Sequence, residues 1–171
     1  MTSATDTTTT TQVYRVYIRA TPQAVWDAIT DPEWNARFGY PGRSEYDLRP
    51  GGAFLAISPP EAQAMGMPEH VADGEVLESD PPRRLVQTWR FLYEPLMSEG
   101  FNRVTWDIDE DDGGITRLSV THELENAPIT AEQVASVARI FEGGGGWSMI
   151  LSDLKSLLET GDPMFGKDIE G

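Results

Sequence analysis

The stretch FNRVTWDIDEDDGGITRLSVTHE, residues 101–123, decides the fold. In its first part Val104, Trp106 and Ile108 fall on one side, and Arg103, Thr105 and Asp107 on the other. Side chains alternate faces along a strand, so Phe101 to Ile108 reads as a half-buried strand. The second part repeats the pattern over Ile115 to Glu123. There Leu118, Val120 and His122 share one face, opposite Arg117, Ser119 and Thr121. Asp111-Asp112-Gly113-Gly114 between them is turn chemistry. Strands joined by so short a link pair antiparallel.

Working upstream, Arg84 to Phe91 is another strand, with Leu85, Gln87, Trp89 and Phe91 in one row. Val71 to Glu78 precedes it, closed by Asp80-Pro81-Pro82. Ser44 to Leu48 and Ala53 to Ser58 flank Arg49-Pro50-Gly51-Gly52, where Pro-Gly suits a type II turn. Pro59 to Glu69 reads as a loop carrying Met65 and Met67. Val13 to Arg19 is β-branched and aromatic, hence a strand. Thr21-Pro22 and Asp31-Pro32 each supply a capping residue followed by proline at the first helical position. They predict two short helices, one to about Ile29 and one over about Glu33 to Phe38.

Downstream, Thr130 and Gln133 form a capping box ahead of Val134, Val137, Ala138 and Phe141. Gly143 to Gly146 interrupts or bends that helix and lets Trp147 dock closely. Trp147, Ile150, Leu151, Leu154 and Leu158 then recur at helical spacing, and Asp162-Pro163 ends the helix. Residues 1–12 read as a disordered Thr-rich tail, 13–160 as one domain and 161–171 as a C-terminal tail. The expected fold is α+β. It has an antiparallel sheet of six to seven strands, two short helices after the first strand, and a long C-terminal helix on one sheet face.

Composition narrows the function. The 171 residues contain no cysteine, which excludes disulfides, zinc ribbons and thiol catalysis. Thirteen basic against 28 acidic residues leave a net charge of −15. That charge repels phosphate backbones and anionic lipid, so no nucleic-acid and no membrane partner is expected. No apolar run approaches the ~18 residues of a membrane span, and the first twelve residues lack a secretory core. A cytoplasmic location is the default expectation.

No metal and no cofactor are expected either. The two histidines are far apart and no HExxH spacing exists. A calcium loop begun at Asp107 would have its glycine one position late, at Gly113, and Leu118 in place of the twelfth-position glutamate. Gly143 to Gly146 lacks the Gly-Lys-Ser/Thr ending of a phosphate loop. No Gly-x-Ser-x-Gly elbow is present.

Four pieces of the chain match a known pattern. They are Val25-Trp26-Asp27-Ala28-Ile29-Thr30-Asp31-Pro32-Glu33, then Asp47-Leu48-Arg49-Pro50-Gly51-Gly52 before Phe54, then Gly74-Glu75-Val76-Leu77-Glu78 leading to Pro82-Arg83-Arg84-Leu85-Val86 and Thr88-Trp89, and last Gly146-Trp147. In this order they cover about residues 13–160. The chain is similar to the START-like (SRPBCC) helix-grip superfamily. Within it, the chain resembles the homologue family of the activator of the ninety-kilodalton heat-shock protein ATPase. The resemblance implies a curved antiparallel sheet gripping the C-terminal helix, with a cavity between them. It also implies a range of functions, from lipid carriers and plant ligand binders to polyketide cyclases and chaperone activators.

The inward rows are the candidate site. Phe54, Gln87, Trp89, Phe91, Val104, Trp106, Leu118, Val120 and His122 face Phe141, Trp147 and Leu151. They line either a fully packed core or a cavity for a small hydrophobic molecule, aromatic or lipid-like. The aromatic excess and the inward Gln87 and His122 favour the cavity. Trp26, Trp34 and Phe38 are core or a gate, with Met65 and Met67 in a lid. His122 is a hydrogen-bonded core residue, an orienting group for a ligand oxygen, or a general acid or base.

Three functions follow: a binder, a cyclase- or dehydratase-type enzyme using His122, and a chaperone ATPase-activator-like module. An enzyme would place two or more titratable groups inside, whereas the rows hold one histidine and no carboxylate. A lone domain lacks the extra N-terminal domain of the eukaryotic activators, which argues against a chaperone partner. A homodimer is left open.

Overall fold

The computed structural model describes residues 11–139 and 144–164. Within them seven strands form one antiparallel sheet. They are β1 (Thr11–Ile18), β2 (Arg43–Tyr46), β3 (Ala53–Ile57), β4 (His70–Asp80), β5 (Arg84–Phe91), β6 (Asn102–Glu110) and β7 (Thr116–Glu123). The spatial order is β1-β7-β6-β5-β4-β3-β2. From β2 onward each strand pairs with the next in the chain, as short links dictate. Only β1 crosses over, to pair with β7. The fold is α+β, with a C-terminal helix packed on the sheet.

Two short helices follow β1. In α1 (Pro22–Thr30), Thr21 accepts from the Ala24 N–H at 3.1 Å. In α2 (Pro32–Asn35), Asp31 accepts from the Glu33 N–H at 2.9 Å. Both start at proline, as the cap-proline signals require. α2 is shorter than the expected Glu33–Phe38, and the segment after it runs as turns into β2. The loop from Pro59 to Glu69 contains one further short helix, α3 (Pro60–Ala64), also begun at proline.

Other boundaries shift for physical reasons. β1 begins at Thr11 rather than Val13, because Thr11 and Gln12 pair with Glu123 and His122. β4 carries a bulge at Leu77, between the pairs Val76–Gln87 and Glu78–Val86. The capping box is corrected. In α4 (Pro128–Val134) the cap position is Ala127, with no side-chain cap, and Thr130 sits inside the helix. The Glu99 carboxylate, from another loop, accepts instead from the Ile129 and Thr130 N–H groups at 2.7 and 2.8 Å. The helix also ends at Val134, and Val137, expected on its apolar face, is exposed.

The closing helix α5 spans Gly146–Thr160. Gly146 has φ +53°, and a Cβ there would lie 2.0 Å from the Val134 carbonyl oxygen. Only glycine lets the end of α4 and the start of α5 come this close. Trp147, Leu151, Leu154 and Leu157 are buried in one cluster with Ile18, Val25, Trp26, Leu85, Val104, Leu118 and Val120. Among the described residues no helix is long and apolar enough to cross a membrane.

Candidate functional site

A cavity of about 530 Å³ opens between the sheet and α5. That is within the ~300–1,000 Å³ usual for small-molecule sites. Its floor comes from residues of five strands: Tyr46, Phe54 and Ala56, Ala72, Gln87, Trp89 and Phe91, Val104 and Trp106. Trp147 and Ile150 of α5 and Val134 of α4 close it from above, and Phe38, Tyr40, Arg43 and Met67 stand at its rim. The aromatic rings brace one another edge-on. Trp106 and Trp147 are 5.3 Å apart at 81°, and Trp89 and Phe91 4.5 Å apart at 69°. Tyr40 ties the rim to the start of α5, donating to the Gly144 carbonyl at 2.8 Å and accepting from the Gly146 N–H at 3.0 Å.

Gln87 is the polar group of the floor, at 1% exposure. Its Oε1 accepts from the Trp106 indole at 2.9 Å and from the Tyr46 hydroxyl at 3.3 Å. Burial pushes the Tyr46 phenol well above its ordinary value, against the opposing pull of the Gln87 hydrogen bond, so it stays protonated. An indole N–H can only donate, which fixes the amide with Oε1 toward Trp106. Gln87 Nε2 is then a buried donor with no hydrogen-bond partner.

His122 is wholly buried. The Trp147 indole donates to its Nδ1 at 3.0 Å. Nε2 therefore carries the proton and donates to Asn102 Oδ1 at 2.6 Å. Burial lowers its pKa from 6.5 to about 3. The ring is neutral near pH 7, both its nitrogens are engaged, and it does not line the cavity. Of the three roles the sequence leaves open, this geometry is that of a hydrogen-bonded core residue.

Of the other expected residues, Phe54, Gln87, Trp89, Phe91, Val104, Trp106 and Trp147 line the cavity. Leu118, Val120 and Leu151 are buried in the packed core and do not. Phe141 lies outside the described residues. The division has a cause: α5 packs toward β1, so the β1–β7 side of the sheet is filled and the β3–β6 side is left open. Trp26 is core, Phe38 joins both core and cavity, Met67 reaches the rim and Met65 is 85% exposed.

Tyr46, Ser44, Asn102 and Asp153 escaped the sequence reading. Tyr46 alternates with Ser44 on β2, and both line the cavity. Asn102 shares the face of Val104 and Trp106, a signal that extending the alternation by one step would have found. Asp153 adds an inward carboxylate outside the strand rows. It is fully buried on α5, and its Oδ2 accepts from the Gly39 N–H at 2.8 Å. It fastens the segment after α2 to the closing helix and does not line the cavity. The acidic stretch at residues 111–114 is a tight turn in which the Asp111 side chain accepts from the Asp112 N–H. Among the described residues no group of three His or carboxylate side chains is placed to hold a metal.

The family model described as activator of Hsp90 ATPase homolog 1-like protein matches residues 19–159. The chain belongs to this family. Among the curated proteins none matches its sequence. Solved structures similar to this activator-homologue-like chain include CalU16 from Micromonospora echinospora. The two are 27% identical with a TM-score of 0.61, over 90% of this chain and 68% of that one. DynU16, from the dynemicin biosynthetic locus, is 23% identical with a TM-score of 0.64, over 90% of this chain and 49% of its own. PFC0360w, an HSP90 activator from Plasmodium falciparum, is 21% identical with a TM-score of 0.53, over 91% of both chains. The chain thus spans about half the length of DynU16 and 59% of another CalU16 structure.

Proposed function

We propose that this chain binds a small hydrophobic molecule, aromatic or lipid-like, in the cavity between the sheet and α5. The observation that carries this reading is the cavity itself. About 530 Å³ stays open beside a core that is otherwise packed, and aromatic side chains dominate its floor. Such a volume, apolar with few convergent polar groups, is what a small-molecule site requires. The enzyme reading loses its one candidate residue, because His122 is neutral, doubly hydrogen-bonded and outside the lining. The likeness to the HSP90 activator and to DynU16 is one of fold alone, and it carries neither a chaperone partner nor a pathway to this chain.

The test is titration with a neutral naphthalene dye whose emission reports an apolar environment, in the wild type and in Ala56→Phe, which fills part of the floor. The expected result is one saturable site in the wild type and at least about tenfold weaker binding in the variant, the loss of roughly 1.4 kcal/mol of contact. Absence of saturable binding in the wild type, or equal binding by a folded variant, overturns the proposal.

A further inference from the structure

Gln87 presents an asymmetry inside the cavity. Its carbonyl oxygen is held by two donors, the Trp106 indole and the Tyr46 hydroxyl, while its Nε2 has no partner. The amide cannot be turned over to repair this. Trp106 Nε1–H is a donor only, and Nε2 facing it would set donor against donor. A buried donor without an acceptor costs stability, and native folds supply one from protein, water or ligand. Among the described residues Asn102 Nδ2 is the other buried side-chain donor without a partner, but Asn102 does not line the cavity. Gln87 does, in one row with Trp89 and Phe91.

The surroundings define the chemistry of the missing acceptor. Among the described residues the one charged residue of the lining, Arg43, stands half-exposed at the rim and is paired with Glu45 at 3.0 Å. A carboxylate or phosphate at the depth of Gln87 would be desolvated with no cation to meet it. A neutral oxygen meets only an amide N–H. Trp89, Phe91, Trp106 and Trp147 offer edges and faces to a flat ring system.

We propose, resting on the cavity reading above, that the ligand is an aromatic ketone or quinone whose carbonyl oxygen accepts a hydrogen bond from Gln87 Nε2. The nitrogen is covered by its neighbours, so contact entails a small shift of the floor. Trp106 and Tyr46 act as positioning residues, holding the amide so that its donor end is turned away from them.

The matched probes 9-fluorenone and fluorene differ only in a carbonyl against a methylene. Both are titrated into the full chain and into Gln87→Met, which keeps the volume and removes the donor. The expected result is a fluorenone-to-fluorene affinity ratio about fivefold to tenfold higher in the wild type than in the variant, the range of one hydrogen bond. A second measurement needs no variant. The side-chain amide resonance of Gln87 shifts on adding fluorenone and stays in place with fluorene. If neither probe binds, the cavity reading falls and this inference falls with it. If both bind with the same ratio in both proteins and the amide resonance does not move, the cavity reading stands and the carbonyl assignment is overturned.

Discussion

The indole N–H of Trp147 donates to Nδ1 of His122 at 3.0 Å, and this one bond sets the state of the ring. It forces the proton onto Nε2, from which it passes a hydrogen bond to Asn102. The C-terminal helix is thereby tied to β7 and, through Asn102, to β6 by a neutral histidine.

Stability should follow that neutrality. Folding lowers the His122 pKa from 6.5 to about 3. Between these values the unfolded chain takes up a proton that the folded chain refuses. The stabilisation is complete above pH 6.5 and is lost progressively as pH falls. At pH 5 the loss from this group is about 2 kcal/mol. Urea unfolding of wild type and His122→Gln at pH 7 and pH 5 measures it. The variant should lose about 2 kcal/mol less than the wild type, and equal losses would mean that the folded histidine takes up protons freely.

Trp147 is anchored twice, by that hydrogen bond and by its ring against Trp106. Trp147→Ala should cost about 3–5 kcal/mol, the usual effect of deleting a buried tryptophan. Trp147→Phe keeps most of the ring and orphans His122 Nδ1, for a loss of roughly 1–3 kcal/mol. Thermal melts rank the three proteins, and a Phe variant as stable as the wild type would show that the hydrogen bond contributes nothing.

Asp153 holds the backbone N–H of Gly39 from within the closed part of the fold. Asp153→Ala strands that N–H and should lower stability by about 1–3 kcal/mol. Its amide exchange gives a local readout. Exchange at Gly39 should accelerate more than that of the β6–β7 ladder, and uniform acceleration would place the effect elsewhere.

Glu99 caps α4 across space. Burial raises its carboxyl pKa, but hydrogen bonds from the Ile129 and Thr130 N–H groups and the Thr130 hydroxyl outweigh burial and leave it below its ordinary value. Its contribution is therefore present above the usual carboxylate range and lost as pH falls through the lowered value. Glu99→Ala should cost about 1 kcal/mol at pH 7, as loss of a helix cap does. The two proteins should converge in acid, and a gap that persists there would assign the loss to packing.

The sheet was legible in the sequence because period-two rows such as Leu85-Gln87-Trp89-Phe91 report a half-buried strand locally. The start of α1 was legible for the same reason, since Thr21 caps its own neighbour. The capping box at Thr130 misled because the acceptor for that helix comes from Glu99, thirty-one positions away. Leu77 gave no sign of its bulge, which depends on how two strands fit together. The division of the inward rows into lining and packed core depends on α5 lying toward β1, a tertiary fact that no strand records. Asp153 gave no sign of its burial, because nothing near it in the chain reveals the Gly39 N–H that it meets.

The central claim is that the space between the sheet and α5 holds a small hydrophobic molecule. A crystal structure of the chain grown with the neutral naphthalene dye tests it most directly. The account predicts dye density inside the cavity, in contact with Trp89, Trp106 and Trp147. Density confined to the outer face of the sheet, or a cavity filled by its own side chains with no dye bound, would contradict it.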